Sequence, residues 1–187
     1  MVRVSTLFSL ALAFVLAACG PDPVRVPLAA AVESDLRVRV PVSTVMLRDV
    51  SLPTYAAAEE IPLQDGTGVI ATAEGLLWAD DPERAATLAL SRHLNMILSA
   101  TVAPEPWPLD GIPDVTVDVR VSEALATNTG QFVLEAQFFI GGDGRPFRPN
   151  ANEFRTAVPL ADTTPGAVAR AQAEAYRQLA EAIARAF

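Results

Sequence analysis

The sequence contains no lysine, and all 14 of its basic residues are arginine. This excludes chemistry that needs a lysine amine, such as a Schiff base or the lysine of a phosphate-binding loop. Only one cysteine, Cys19, and one histidine, His93, are present. A single cysteine cannot form an intramolecular disulfide, and this pair cannot complete a tetrahedral zinc site. We therefore expect packing alone to hold the fold, without a metal ion.

Signals of catalysis are also missing from the sequence. No serine lies in the Gly-x-Ser-x-Gly pattern of a hydrolase nucleophile. His93 falls within a predicted helix and has no partner motif, and such a histidine is more often a packing or surface residue than a general base. The sequence therefore predicts no catalytic residue and no enzyme activity.

No apolar run is long enough to span a membrane. The longest, Leu7–Ala17, has about half of the roughly 20 residues that a spanning helix needs. It follows Arg3 and ends in small residues just before Cys19, which is the order of a secretory signal peptide. We therefore expect residues 1–18 to be cleaved from the mature chain.

A cysteine directly after these small residues resembles a bacterial lipobox. The resemblance implies that the thiol of Cys19 carries a diacyl lipid, with acyl chains such as palmitate, and that the new amino terminus is acylated. This covalent lipid would be the only prosthetic group and the only membrane attachment. Gly20 rather than an aspartate follows, which favours the periplasmic face of the outer membrane over the inner membrane.

The mature chain is acidic. Removing residues 1–18 takes away one arginine and leaves 13 basic against 22 acidic residues, a net charge of −9. This charge argues against binding to nucleic acid and against electrostatic attraction to an anionic lipid surface.

Alternation of apolar and polar residues predicts strands, and Asp-Pro or Thr-Pro pairs predict helix starts. The main predicted strands lie at 36–40, 115–122, 131–140 and 153–160, with shorter ones at 45–50, 61–63 and 69–72. The predicted helices begin at Asp81 and Thr164. This order predicts an α+β fold, an antiparallel β-sheet with two helices packed on one face. A Pro-rich tether at 19–35 would precede one domain at 36–187.

Three aromatic residues lie at the ends of predicted elements or in loops. Trp78 directly precedes the first helix start, where we expect it to close the core. Tyr55 follows Pro53 in a predicted loop, and Trp107 lies between two prolines. No periodic pattern forces either ring into the core, so Tyr55 and Trp107 are the candidate partner-binding residues.

The lipobox, the segment Val50–Tyr55, the Trp78-Ala79-Asp80 helix start and the closing Ala-rich helix resemble the ABC-type transport auxiliary lipoprotein family, PqiC-like. The resemblance implies a non-enzymatic accessory subunit of an MCE-type (PqiB-like) intermembrane lipid-transport system. Its partner would be a periplasmic MCE-domain protein, and a homo-oligomer is left open. A second hypothesis is a periplasmic lipoprotein that assists outer-membrane assembly, as a partner of lipopolysaccharide insertion or of a secretin. An enzyme is the third.

Overall fold

A computed structural model describes residues 22–28, 33–142 and 147–187. The predicted signal peptide and Cys19 lie outside these residues. The described chain forms eight strands and three helices: β1 Val24–Val26, β2 Thr44–Leu47, α1 Thr54–Ala57, β3 Glu60–Gln64, β4 Ile70–Trp78, α2 Pro82–Ile97, β5 Thr101–Pro104, β6 Val115–Ala126, β7 Gln131–Gly141, β8 Asn150–Pro159 and α3 Pro165–Arg185.

The long strand β6 organises one mixed sheet. On one side it pairs antiparallel with β7, which pairs antiparallel with β8. On its other side β2 runs parallel to its start, where Val45 lies opposite Val115, and β3 runs parallel to its end, where Leu63 lies opposite Ala126. Strand β5 extends the sheet from β2, and β4 followed by β1 extends it from β3.

The α+β class is confirmed, but the expectation of an antiparallel sheet is wrong in part. Four pairings are parallel: β1 with β4, β2 with β5, β2 with β6 and β3 with β6. Parallel neighbours need a connection that carries the chain back to the starting end. The loop 105–114 does this between β5 and β6, which run parallel to each other on the two sides of β2. Alternation within a strand carries no information about the direction of its partner.

Helix starts follow the predicted cap chemistry. The Asp81 side chain accepts a hydrogen bond from the Arg84 N–H at 2.8 Å, and the Thr164 side chain accepts one from the Ala167 N–H at 3.3 Å. A proline occupies the first turn of each helix, where its missing N–H costs nothing. Trp78 is buried just before α2, as expected.

The segment 36–40 is not a strand, contrary to expectation. Only Val38 forms a bridge, with Leu98, which has extended backbone at the end of α2. The Val38 N–H donates to the Ile97 carbonyl at 2.8 Å, and the Ser99 N–H donates to the Val38 carbonyl at 3.0 Å. Val38 therefore bonds to the residues at the end of α2, which stops at Ile97.

The segment predicted as a tether contacts the domain at two places. Residues Val24–Val26 lie beside the end of β4, and the Ala79 N–H donates to the Val26 carbonyl at 2.9 Å. The Ser34 hydroxyl lies 2.6 Å from a carboxylate oxygen of Glu181 on α3. Part of the segment therefore lies along the edge of the sheet.

Helices α2 and α3 pack against each other, and α3 also contacts β7 and β8. These helices cover the core, which contains the alternating valines of β6 and Leu134 of β7. Leu179 of α3 is buried in the same core. His93 on α2 is fully buried, and among the described residues neither ring nitrogen has a hydrogen-bond partner. Burial, reinforced by the charge of Arg177, lowers the pKa of His93 below 6.5, while the charge of Glu174 opposes this.

We expect His93 to make the stability of the protein depend on pH. Its pKa is lower in the folded state, so the unfolded chain binds the extra proton as the pH falls below 6.5. The free energy of unfolding should have its highest value above pH 6.5. It should decrease as the pH falls toward the pKa that His93 has in the folded protein. Urea titrations between about pH 7.5 and pH 5 measure this.

The matched control is His93→Leu, which keeps a buried side chain of similar size without a titratable group. Its free energy of unfolding should lose most of the dependence in this pH range. The pKa values of Glu174 and Glu181 are lowered below 4.5, so those carboxylates titrate outside it. An equal pH dependence in His93→Leu would contradict the prediction.

Candidate functional site

Within the three described ranges, no group of three or more histidine, cysteine or acidic side chains could hold a metal ion. His93 is buried between helices, away from any substrate that arrives from solvent. The candidate site residues are Tyr55 and Trp107, which the sequence predicts to contact a partner.

Tyr55 lies in the short helix α1 and is half-buried against the core. Its hydroxyl accepts a hydrogen bond from the Ala124 N–H at 3.2 Å, next to the irregularity in β6 between Val121 and Glu123. Burial raises the pKa of Tyr55, the Ala124 N–H opposes this, and the charge of Glu123 adds to it. The phenol therefore joins α1 to the edge of β6.

Trp107 lies in the loop 105–114 between β5 and β6, which we call the β5–β6 loop. Hydrogen bonds fix both of its ends to β2. At the start, the Glu105 N–H donates to the Leu47 carbonyl at 2.8 Å. At the end, the Asp114 carboxylate accepts from the Ser43 and Thr44 N–H groups at 2.8 and 3.0 Å. These hydrogen bonds hold the pKa of Asp114 below its usual value, and the bond from the Ser43 N–H has the largest effect.

The β5–β6 loop exposes large apolar side chains. Ile112 is 86% exposed and Leu109 is 46% exposed, while Trp107 is half-buried. Ile112 also borders an open concavity of about 450 Å³, which Met46 and Phe139 line from the sheet. We call these five residues the loop surface.

Charged groups surround the sheet side of the loop surface. Asp118 binds Arg120 at 3.1 Å and lies 3.7 Å from Arg48. The Arg120 guanidinium lies 5.2 Å from the centre of the Phe139 ring, a distance typical of a cation–π contact. An apolar centre with a polar rim is the usual anatomy of a protein–protein interface.

The two predicted contact residues lie at different ends of β6. Tyr55 contacts Ala124 near the end of the strand, whereas the loop that contains Trp107 enters the strand at Val115. The sequence interpretation did not single out Ile112 or Leu109. Their signal was a pair of apolar residues among prolines, aspartates and a glycine, outside any periodic element.

Tyr55→Phe should lower the free energy of unfolding by about 1 kcal/mol, because the Ala124 N–H loses its acceptor. Chemical denaturation measures the change. The matched control is Thr54→Ala at the exposed neighbouring position, which should change stability by less than about 0.5 kcal/mol. Equal stability of Tyr55→Phe and the parent would show that the hydroxyl bond contributes nothing.

Two solved structures share the fold at low sequence identity. The crystal structure of an uncharacterized protein is 18% identical, with a TM-score of 0.65, and the match covers 81% of this chain and 99% of that one. A DUF330 protein from Xanthomonas campestris is 16% identical, with a TM-score of 0.66, covering 87% of this chain and 90% of that one. No curated protein matches the sequence.

None of the helices in the described ranges is both long enough and apolar enough to cross a bilayer. The family of ABC-type transport auxiliary lipoprotein components matches residues 27–184. This match includes every described element except β1 and the last residue of α3, and it contains Tyr55, Trp107 and the whole loop surface. The chain therefore belongs to the ABC-type transport auxiliary lipoprotein component family.

Proposed function

We propose that the protein is a lipid-anchored, non-enzymatic accessory subunit of an MCE-type intermembrane lipid-transport system. Family membership makes it an auxiliary lipoprotein of a transport system. The proposal adds the partner, a periplasmic MCE-domain protein, and the location, the periplasmic face of the outer membrane. The observation that carries the binding role is the loop surface, with Ile112 at its most exposed point.

The loop surface suits a partner contact because its geometry is fixed before binding. Hydrogen bonds hold both ends of the β5–β6 loop on β2, and three prolines stiffen the segment 104–108. Ordering such a loop on a partner costs little conformational entropy. Burial of Ile112, Leu109 and Trp107 then supplies apolar area to the interface.

The membrane attachment in this proposal depends on Cys19. Its thiol is the only one in the chain, and a thioether to a diacyl lipid requires that sulfur. Cys19→Ala should therefore abolish lipidation, leave the uncleaved precursor to accumulate and remove the mature protein from the membrane fraction. Labelling with a radioactive fatty acid and fractionation of the envelope measure both effects. A Cys19→Ala protein that is still matured and acyl-labelled would refute the lipobox interpretation.

Changes in the loop surface should weaken the partner contact without unfolding the domain. We expect Leu109→Asp with Ile112→Asp to reduce co-purification of the MCE-domain protein at least about tenfold, because two apolar contacts become buried charges. Pull-down from solubilised envelopes measures this, and thermal unfolding checks the fold. The mass of the recovered complex also gives the number of copies of this chain.

The matched control is Met96→Asp. Met96 is an apolar residue on α2 that is 38% exposed, outside the loop surface. This variant should retain the partner at the level of the parent. Equal loss in the control and the double variant would refute the loop surface as the contact. Loss of a lipopolysaccharide-insertion or secretin component instead of the MCE-domain protein would favour the outer-membrane assembly hypothesis.

A further inference from the structure

The tip of the β3–β4 hairpin exposes two apolar side chains. Val69 is 60% exposed, and Ile70, the first residue of β4, is 39% exposed. The turn beneath them is internally bonded: the Asp65 carboxylate accepts from the Thr67 and Val69 N–H groups at 2.8 and 3.0 Å. The tip is therefore an ordered apolar projection, and its one carboxylate is occupied by the turn itself.

The first residue of β1 lies at the end of that strand that faces this tip. Strand β1 runs parallel to β4, with Val24 opposite Leu76. Moving upstream from Val24 therefore corresponds to moving from Leu76 toward Ile70. Ile70 lies six residues before Leu76, or about 20 Å at 3.3 Å per residue. Cys19 lies five residues before Val24 and can reach at most about 17 Å from it.

A lipid on Cys19, which the proposed function requires, would place the bilayer surface within about 17 Å of Val24. The nearest part of the sheet in that direction is the hairpin tip. The β5–β6 loop lies at the other end of β6: it enters the strand at Val115, whereas β3 joins at Ala126. These two residues are about 36 Å apart along the strand.

The chemistry of the tip suits lipid chains rather than charged headgroups. Residues 64–72 contain one acidic side chain, Asp65, and no basic one. Without basic residues the tip gains nothing from anionic lipids, so any attraction comes from apolar burial. Two apolar residues bind a bilayer weakly when free. The lipid anchor makes their contact intramolecular, at a high effective concentration.

We propose that Val69 and Ile70, at the tip of the β3–β4 hairpin, insert into the surface of the bilayer that holds the Cys19 lipid. This second contact orients the domain and directs the loop surface away from the membrane, toward a partner. The inference rests on the lipid anchor of the proposed function, and the experiment below separates the two.

The test uses the mature acylated protein, residues 19–187, in vesicles of phosphatidylethanolamine and phosphatidylcholine. Val69→Cys is labelled with an environment-sensitive maleimide, and some of the lipids carry a quencher on their acyl chains. We expect the probe emission to shift to the blue and most of it to be lost to the lipid quencher. The matched control is Ile112→Cys, a more exposed apolar position on the loop surface, where the probe should remain in water.

Equal quenching at positions 69 and 112 would overturn the proposed contact. A blue shift at position 69 without lipid quenching would mean that a protein covers the tip, which also overturns it. The unsubstituted parent tests the anchor separately, because an acylated Cys19 has no thiol to label. Labelling of the parent would refute the anchor, and with it the contact. A parent that floats unlabelled with vesicles, while the position-69 probe stays in water, would refute the contact alone.

Discussion

The pairing of β6 on both sides is the constraint on which the rest of the structure depends. The strand is 12 residues long, about twice the usual length, so one side can hold β2 at its start and β3 at its end. Between them, the Ser51 N–H donates to the Val119 carbonyl at 3.1 Å, and the Val121 N–H donates to the Ser51 carbonyl at 2.9 Å. The Tyr55 hydroxyl then accepts from Ala124. The backbone groups of β6 that neither β2 nor β3 pairs are thus hydrogen-bonded by the Ser51 backbone and the Tyr55 hydroxyl. Buried polar groups require such partners.

This arrangement separates two surfaces along one rigid strand. The β2–β5 branch holds the β5–β6 loop at the start of β6, and the β3–β4–β1 branch holds the hairpin tip at its end. Strand β6 is paired on both sides and its valines are buried, so bending it would break ladder bonds and core contacts together. In the proposed arrangement, a membrane contact at one end would set the direction of the partner contact at the other. Both surfaces lie outside the core, and neither needs a catalytic group.

The elements that sequence predicted correctly are those whose signal is local. Alternating valines indicated β6, and the cap and proline signals indicated α2 and α3. The sequence does not predict the shorter elements β1, β5 and α1, because three or four residues are too few to show a hydrophobic period. The predicted strand at 69–72 covers only the start of β4. The full sequence of β4, IATAEGLLW, does not alternate and contains a glycine with φ of +70°. The parallel pairings depend on connections between distant segments, which no local pattern shows.

The two kinds of candidate site residue also differ in what sequence can reveal. No periodic pattern places Tyr55 in the core, yet its hydroxyl accepts a hydrogen bond from a residue 69 positions away. A change at Tyr55 therefore alters the fold of the β6 edge, and any effect on a partner is mixed with that. Ile112 contributes almost nothing to the core, so its exposure costs folding little and its side chain can vary freely. In the proposed function, specificity for a partner would be carried most cleanly by the loop surface, because its bonded ends hold its shape while its exposed residues remain available for contact.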